Sequence, residues 1–90
     1  MAEIKITPEQ LEQIASNFTN AASEAQQQIN RLEGDINNLE GQWSGATQAK
    51  FRGNFNESKQ AMQQYIPILQ HISEELKKIA NNFRNVDNSY

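Results

Sequence analysis

Apolar residues recur along this chain in steps of four and three rather than in alternation, which is the period of a helix face and not of a strand. One row reads Leu11, Phe18, Ala25, Leu32, Leu39, and a second reads Ala15, Ala22, Ile29, Ile36, Trp43. Together they draw a heptad seam down one side of a single long helix. Its start is written in Thr7-Pro8-Glu9-Gln10. Thr7 can cap, Pro8 fits the first helical position where its missing N–H costs nothing, and Gln10 completes a capping box. The pattern stops at Gly41, where a left-handed helix cap is expected.

A second helix is predicted to start near Ser44, a good N-cap, and to run through Ala46 towards Val86. Its rows are Phe55, Met62, Leu69, Leu76, Phe83 and Phe51, Ser58, Tyr65, Ile72, Ile79, Val86, in which only Ser58 is out of character. Pro67 removes the hydrogen bond to the carbonyl of Gln63 and crowds that turn. One kinked helix is expected rather than two separate ones, with the proline on the outer, wet side together with Gly34 and Gly53. So few residues separate the two seams that the helices must fold back on each other. The expected fold is all-α: an antiparallel helix-turn-helix hairpin, a single unit over residues 1–90. Helix 1 spans about 8–40, the turn about 41–45 and helix 2 about 46–86, followed by a frayed C-terminal tail.

Two helices side by side cover only a stripe of each other, and here the apolar surface is wider than that stripe. Ile14 and Ala21 flank the first seam, and Ile66, Ile68 and Ala80 flank the second. A partner supplying two more helices would dry this surface in a four-helix bundle. The small residues Ala15, Ala21, Ala22 and Ala25, with Ile14 and Phe18, predict a homodimer interface along the first helix. The alternative is that these alanines serve only as good helix formers.

Composition narrows the function. The chain has 90 residues, 37% hydrophobic and 21% charged, with a net charge of −3. That balance lacks the basic footprint of a nucleic-acid binder. There is no cysteine, hence no disulfide and no thiolate chemistry. Met1-Ala2-Glu3-Ile4-Lys5-Ile6 carries no apolar leader segment, so no cleavable signal peptide is expected, and no run is long or apolar enough for stable membrane insertion. The outer faces also lack the dense Lys and Arg of helices that lie on membranes.

Charge is divided between the arms. Glu9, Glu12, Glu24, Glu33, Asp35 and Glu40 make the first helix acidic, while Lys50, Arg52, Lys59, Lys77, Lys78 and Arg84 make the second slightly basic. The division favours antiparallel pairing of unlike arms, although each charge taken singly reads as a solvated helix face. His71, with Glu74 and Glu75 nearby, lacks a further ligand at metal spacing. No catalytic set can be assembled around it and no phosphate loop is present, so neither a cofactor nor an enzymatic activity is expected.

Trp43 continues the first seam by one more step, into Gly41-Gln42-Trp43-Ser44-Gly45. There its indole can plug the closed end of the hairpin, while Gly45 leaves room for the chain to reverse. An indole edge at such a tip could equally serve as a recognition handle.

A chain of this length with Trp43-Ser44-Gly45 between two heptad-patterned helices resembles the WXG-motif family of type VII (ESX) secretion substrates, above all its EsxA/YukE-type members from Gram-positive bacteria. The resemblance covers the whole chain. It implies a small non-enzymatic protein exported folded, without a cleaved signal, by a membrane-embedded, ATPase-driven machine. It implies dimers of hairpins, homodimers or heterodimers with a related hairpin, and roles in virulence or in competition between bacteria. It also implies a C-terminal export element, an aromatic followed four residues later by an acid. Phe83-Arg84-Asn85-Val86-Asp87 matches in spacing, with phenylalanine in place of the usual tyrosine. In an antiparallel dimer, Phe83 and Asp87 of one subunit would come beside Trp43 and Gly45 of its mate. The alternative function is an intracellular helical adaptor that escorts a larger type VII effector.

Overall fold

The structure, a computed structural model, describes residues 6–43 and 45–89, with side chains described through Asn85. Two helices form it: α1 spans Pro8–Glu40 and α2 spans Ala46–Ser89. They lie antiparallel in a rod measuring 69 × 18 × 17 Å. Cross-helix pairs run from Glu40 with Arg52 at the closed end, through Thr19 with Ser73, to Glu12 with Arg84 at the open end.

At the start of α1, the Gln10 N–H donates to Thr7 Oγ1 at 3.1 Å, and the Thr7 N–H donates to Gln10 Oε1 at 2.8 Å. This reciprocal box satisfies backbone donors that a helix end leaves bare. α2 passes through Pro67 as one helix, with the ring exposed, and it continues to Ser89, beyond the end expected at Val86.

The core is narrow. Leu11, Ala15, Ala22 and Ile29 of α1 are buried against Ile66, Leu69, Ser73 and Ala80 of α2. On α2 this corrects one of the two expected rows. Met62, Leu69 and Leu76 do face inward, but the row beside them is Ile66, Ser73, Ala80 and not Tyr65, Ile72, Ile79. Tyr65 is 55% exposed and Ile79 40%, while Ala80 is 0%. The reason is size: Ser73 and Ala80 let the helices approach where Tyr65 and the isoleucines would hold them apart. Ile66 and Ala80, expected at the margin, are core.

On α1 the expected row drifts. Leu11 is buried, Phe18 and Ala25 are half-buried, and Leu32 and Leu39 are exposed. A seven-residue repeat on a helix of 3.6 residues per turn rotates by about 20° each heptad, so a straight helix carries such a row out of the seam.

Ser73 is the one buried polar side chain among the described residues, at 2% exposure. Its hydroxyl donates to the Ala15 carbonyl at 2.9 Å and lies 2.8 Å from Thr19 Oγ1, which itself lies 3.2 Å from the same carbonyl. Two hydroxyl hydrogens therefore serve one carbonyl and each other, and the buried polar group is satisfied.

The turn also departs from expectation. Gly41 sits at φ −70°, ψ −13°, in the ordinary helical region, so the left-handed cap expected there is absent. The positive φ, 104°, belongs to Gly45. Its carbonyl accepts the Ala49 N–H at 3.1 Å, which makes Gly45 the N-cap of α2. Ser44, expected in that role, lies outside the described residues.

The two glycines therefore answer differently to substitution. A Cβ at Gly41 meets only the Asn38 carbonyl at 3.5 Å, an ordinary contact. Gly41→Ala should be neutral or stabilise by a few tenths of a kcal/mol, whereas Gly45→Ala should cost about 1–2 kcal/mol in urea unfolding. Equal midpoints for the two variants would contradict the assigned backbone of the turn.

Candidate functional site

The tip is built by the last turn of α1 and the first turns of α2. Trp43 is half-buried, and its ring packs against Phe51 at a centroid distance of 5.9 Å and a 59° tilt. Tilted pairs of this kind suit the positive edge and negative face of aromatic rings. The tryptophan thus closes the tip only in part, with Phe51 itself 38% exposed. The indole Nε1 is out of water yet has no hydrogen-bond partner among the described residues.

Beside the indole, Glu40 joins the helices. Gln48 Nε2 donates to one of its carboxylate oxygens, and Arg52 Nη1 lies 3.6 Å from the other. The Arg52 guanidinium also stands over the Phe55 ring, 5.9 Å from its centre. Glu40 carries negative charge at the negative end of α1, which has no basic residue in its last turn. Gln48 and Arg52 offset that, and Glu40 in turn brings an acid to the first turns of α2, which starts with none.

The hairpin has two unlike flanks. Hollows of about 250 Å³ and 230 Å³ share Tyr65 and lie between Phe18, Ala21, Ala25 and Leu32 of α1 and Met62, Tyr65 and Leu69 of α2. Counted at 3.6 residues per turn, Ile14 and Leu39 fall on this apolar side of α1, and Ile72 and Ile79 on this side of α2. The opposite flank is polar. There Arg84 forks onto both carboxylate oxygens of Glu12 at 2.6 Å each, and Lys59 pairs with Glu33. Of the charges that singly read as solvated faces, Glu9, Glu12, Glu33, Glu40, Arg52, Lys59 and Arg84 are thus paired across the helices.

Of the residues expected at a dimer interface, Ala15 and Ala22 are 0% and 2% exposed and already covered by α2. Their smallness serves the hairpin's own close contact. Ile14 is exposed, and Phe18, Ala21 and Ala25 are half-buried along the apolar flank. Phe83 is half-buried at the open end; the Asp87 backbone lies in α2, but its side chain is outside the described residues. Sequence reasoning missed Ser73: Ile66, Ser73 and Ala80 share the i, i+7 spacing of the more apolar row Tyr65, Ile72 and Ile79, so spacing alone did not single it out. His71 is exposed, with Nε2 3.3 Å from Glu75. Among the described residues no three His, Asp or Glu side chains gather as a metal site.

The WXG100 family model, describing proteins of 100 residues with WXG, matches residues 3–88. The chain belongs to the WXG100 family. It thereby falls among type VII secretion substrates, and Trp43 and Gly45 supply the triplet behind the name. It is 29% identical over 87 residues to an ESAT-6-like protein of Streptococcus agalactiae, covering 97% of this chain and 91% of that protein. It is 27% identical over 84 residues to YukE of Bacillus subtilis, covering 93% and 87%. The crystal structure of the secreted protein EsxB from Bacillus anthracis superposes with a TM-score of 0.88 at 79% identity, over 94% of this chain and 99% of that one. EsxA of Geobacillus thermodenitrificans shares the fold at 24% identity and a TM-score of 0.85, over 97% and 95% of the chains. Among the described residues no helix is long and apolar enough to cross a membrane.

Two predictions follow from the tip and the polar flank. Because Trp43 is only half-buried, Trp43→Ala should cost about 2 kcal/mol rather than the roughly 3–5 of a fully buried tryptophan. A double-mutant cycle with Phe51→Ala should return a coupling of about 1 kcal/mol; additive losses would deny the ring contact. The second concerns pH. The Arg84 hydrogen bonds hold the Glu12 carboxyl below its ordinary range, and the Lys59 hydrogen bond does the same for Glu33. Folded values below unfolded ones mean that the stabilisation is complete above the unfolded carboxylate pKa, about 4.3, and is lost as pH falls through the lowered values. The urea midpoint should therefore decline below about pH 4.5, less steeply in the Glu12→Gln, Glu33→Gln double variant, and an unchanged slope would exclude these pairs as its cause.

Proposed function

We propose that this protein is exported folded, as a homodimer, by a type VII machine and acts outside the cell, in virulence or in competition between bacteria. The observation that carries the dimer is the uncovered apolar flank: a rod only 17–18 Å thick leaves Leu32, Leu39, Tyr65 and Ile79 at 40% exposure or more. A second copy supplies an equally apolar surface of equal length, and mutual burial gives a four-helix bundle. Ile14, Phe18, Ala21 and Ala25 contribute from α1, and Tyr65 and Ile79 from α2.

The export address is read across the pair. Trp43 and Gly45 stand at one end of a rod 69 Å long, and Phe83 stands towards the other. No single receptor pocket reaches both within one chain. An antiparallel mate would bring its Phe83 and Asp87 to the tip, beside an indole N–H that has no acceptor among the described residues and the exposed Phe51 ring. Export would then be restricted to assembled dimers.

The test is secretion in a host with an intact exporter, alongside particle mass and helicity. Trp43→Ala and Asp87→Ala should stay dimeric and helical yet fall at least about tenfold in the culture supernatant. Ala21→Glu, which places a charge on the apolar flank, should give a folded monomer that stays in the cell. Efficient export of that monomer would defeat the shared address. Retention of the parent chain inside the cell, bound to a larger effector, would favour the adaptor role instead.

A further inference from the structure

Past Ala80, two described side chains are drawn partly out of water: Phe83 and Arg84. Arg84 does so through a fork. Its Nη1 and Nη2 reach the two Glu12 oxygens at 2.6 Å each, and Nη2 also lies 3.7 Å from Glu9 Oε1. Both acids belong to the first turns of α1, which the Thr7–Gln10 box and Pro8 hold rigid. Among the described side chains the last fully buried one of α2 is Ala80, and beyond it Phe83 is half-buried. Yet the helix continues to Ser89.

We infer that Arg84 is a latch: its bidentate pairing with Glu12 holds the C-terminal turns of α2, residues 81–89, in helical order on the start of α1. Ends of long helices fray, and the local cost of opening falls towards zero unless something ties them down. A planar guanidinium on a carboxylate is the exposed ion pair best able to do this, because two parallel hydrogen bonds fix its direction. The location suits the task. Of the two acids, Glu9 lies in the first turn of α1, where negative charge also favours the helix that carries it. Lys59 with Glu33 ties the hairpin in its middle, and Arg84 with Glu12 ties it beyond Ala80.

Arg84 is a positioning residue, and its consequence for secretion rests on the export reading above. Phe83 and Asp87 lie one turn apart on one side of α2 only while residues 83–87 remain helical. The latch thereby keeps both elements in the spacing at which a receptor can read them together.

The experiment is amide hydrogen exchange on the full-length chain, comparing residues 81–89 with the core segments around Ile29 and Leu69. Arg84→Gln and Glu12→Gln should each speed exchange in 81–89 by about fivefold or more, with core exchange unchanged. The exchanged pair Glu12→Arg, Arg84→Glu, made in a Glu9→Gln background so that no second acid repels the new one, should restore most of the protection. Exchange within about twofold of the parent in the single variants, or no recovery in the charge swap, would overturn the latch. Secretion of the same variants separates the two claims. If Asp87→Ala is exported normally while exchange behaves as stated, the export reading falls and the latch stands. If Arg84→Gln is not exported although 81–89 stays protected, the latch falls and the exporter contacts Arg84 itself.

Discussion

Close approach of α1 and α2 around Ala15 and Ser73 governs how the rest of the hairpin is arranged. Ala15 is 0% and Ser73 2% exposed, and the serine hydroxyl meets the Ala15 carbonyl across the interface. Only small side chains permit that contact, and Ala22 and Ala80 extend it in both directions. Rotating α2 to place Ser73 inward turns Ile66 and Ala80 inward with it. The same rotation sends Tyr65 and Ile79 to one flank and brings Lys59 and Arg84 to the other. The apolar groove and the row of ion pairs are thus two results of one rotation. The hydroxyl adds direction to what would otherwise be a smooth apolar contact, since its hydrogen bond is made to one carbonyl of α1, that of Ala15.

The architecture was legible in the sequence because the signals were long or doubly redundant. Helix starts at Thr7-Pro8 and a seam repeated over five heptad steps leave one reading, and the short gap between seams forces a hairpin. Which of two adjacent rows on α2 faces inward was not legible. Met62, Leu69 and Leu76 can be paired with either Tyr65, Ile72 and Ile79 or Ile66, Ser73 and Ala80, and hydrophobicity alone favours the wrong choice. Packing prefers the row that is smaller, and a hydropathy pattern does not carry shape. The outward drift of Leu32 and Leu39 likewise needed the difference between 3.5 and 3.6 residues per turn, which accumulates only over the full length of α1.

Charges were legible in aggregate and not in detail. An acidic α1 and a basic α2 predicted attraction between unlike arms, but nothing in the sequence placed Glu12, Glu33 and Glu40 on one flank facing Arg84, Lys59 and Arg52. That placement depends on the rotation set at Ser73. Its effect is a division of labour between the flanks. Ion pairs on one side tie the arms of the chain together, and the other side is left apolar. Pairs on the polar side remain at the edge of solvent, where each contributes modestly. Spread over the closed end, the middle and the open end, they keep the arms parallel along the length of a rod whose buried core is thin.

At the tip, local rules give way in several places at once. Gly45 holds a positive φ, it caps α2 without a side chain of its own, and the Trp43 Nε1–H is shielded from water without an acceptor among the described residues. Gly41, by contrast, obeys ordinary helical geometry and would accept a Cβ. If the only task of this segment were to reverse the chain, a side-chain cap and a fully buried aromatic would serve it better. Departures from local consistency persist where something other than stability is selected. Here the departures are a glycine at positive φ, a cap without a side chain and an indole N–H without an acceptor among the described residues, and all lie on Trp43 and Gly45, the residues that give the family its triplet. The turn is therefore stable enough to stay folded while it leaves the Trp43 indole and the Phe51 ring partly bare at the tip.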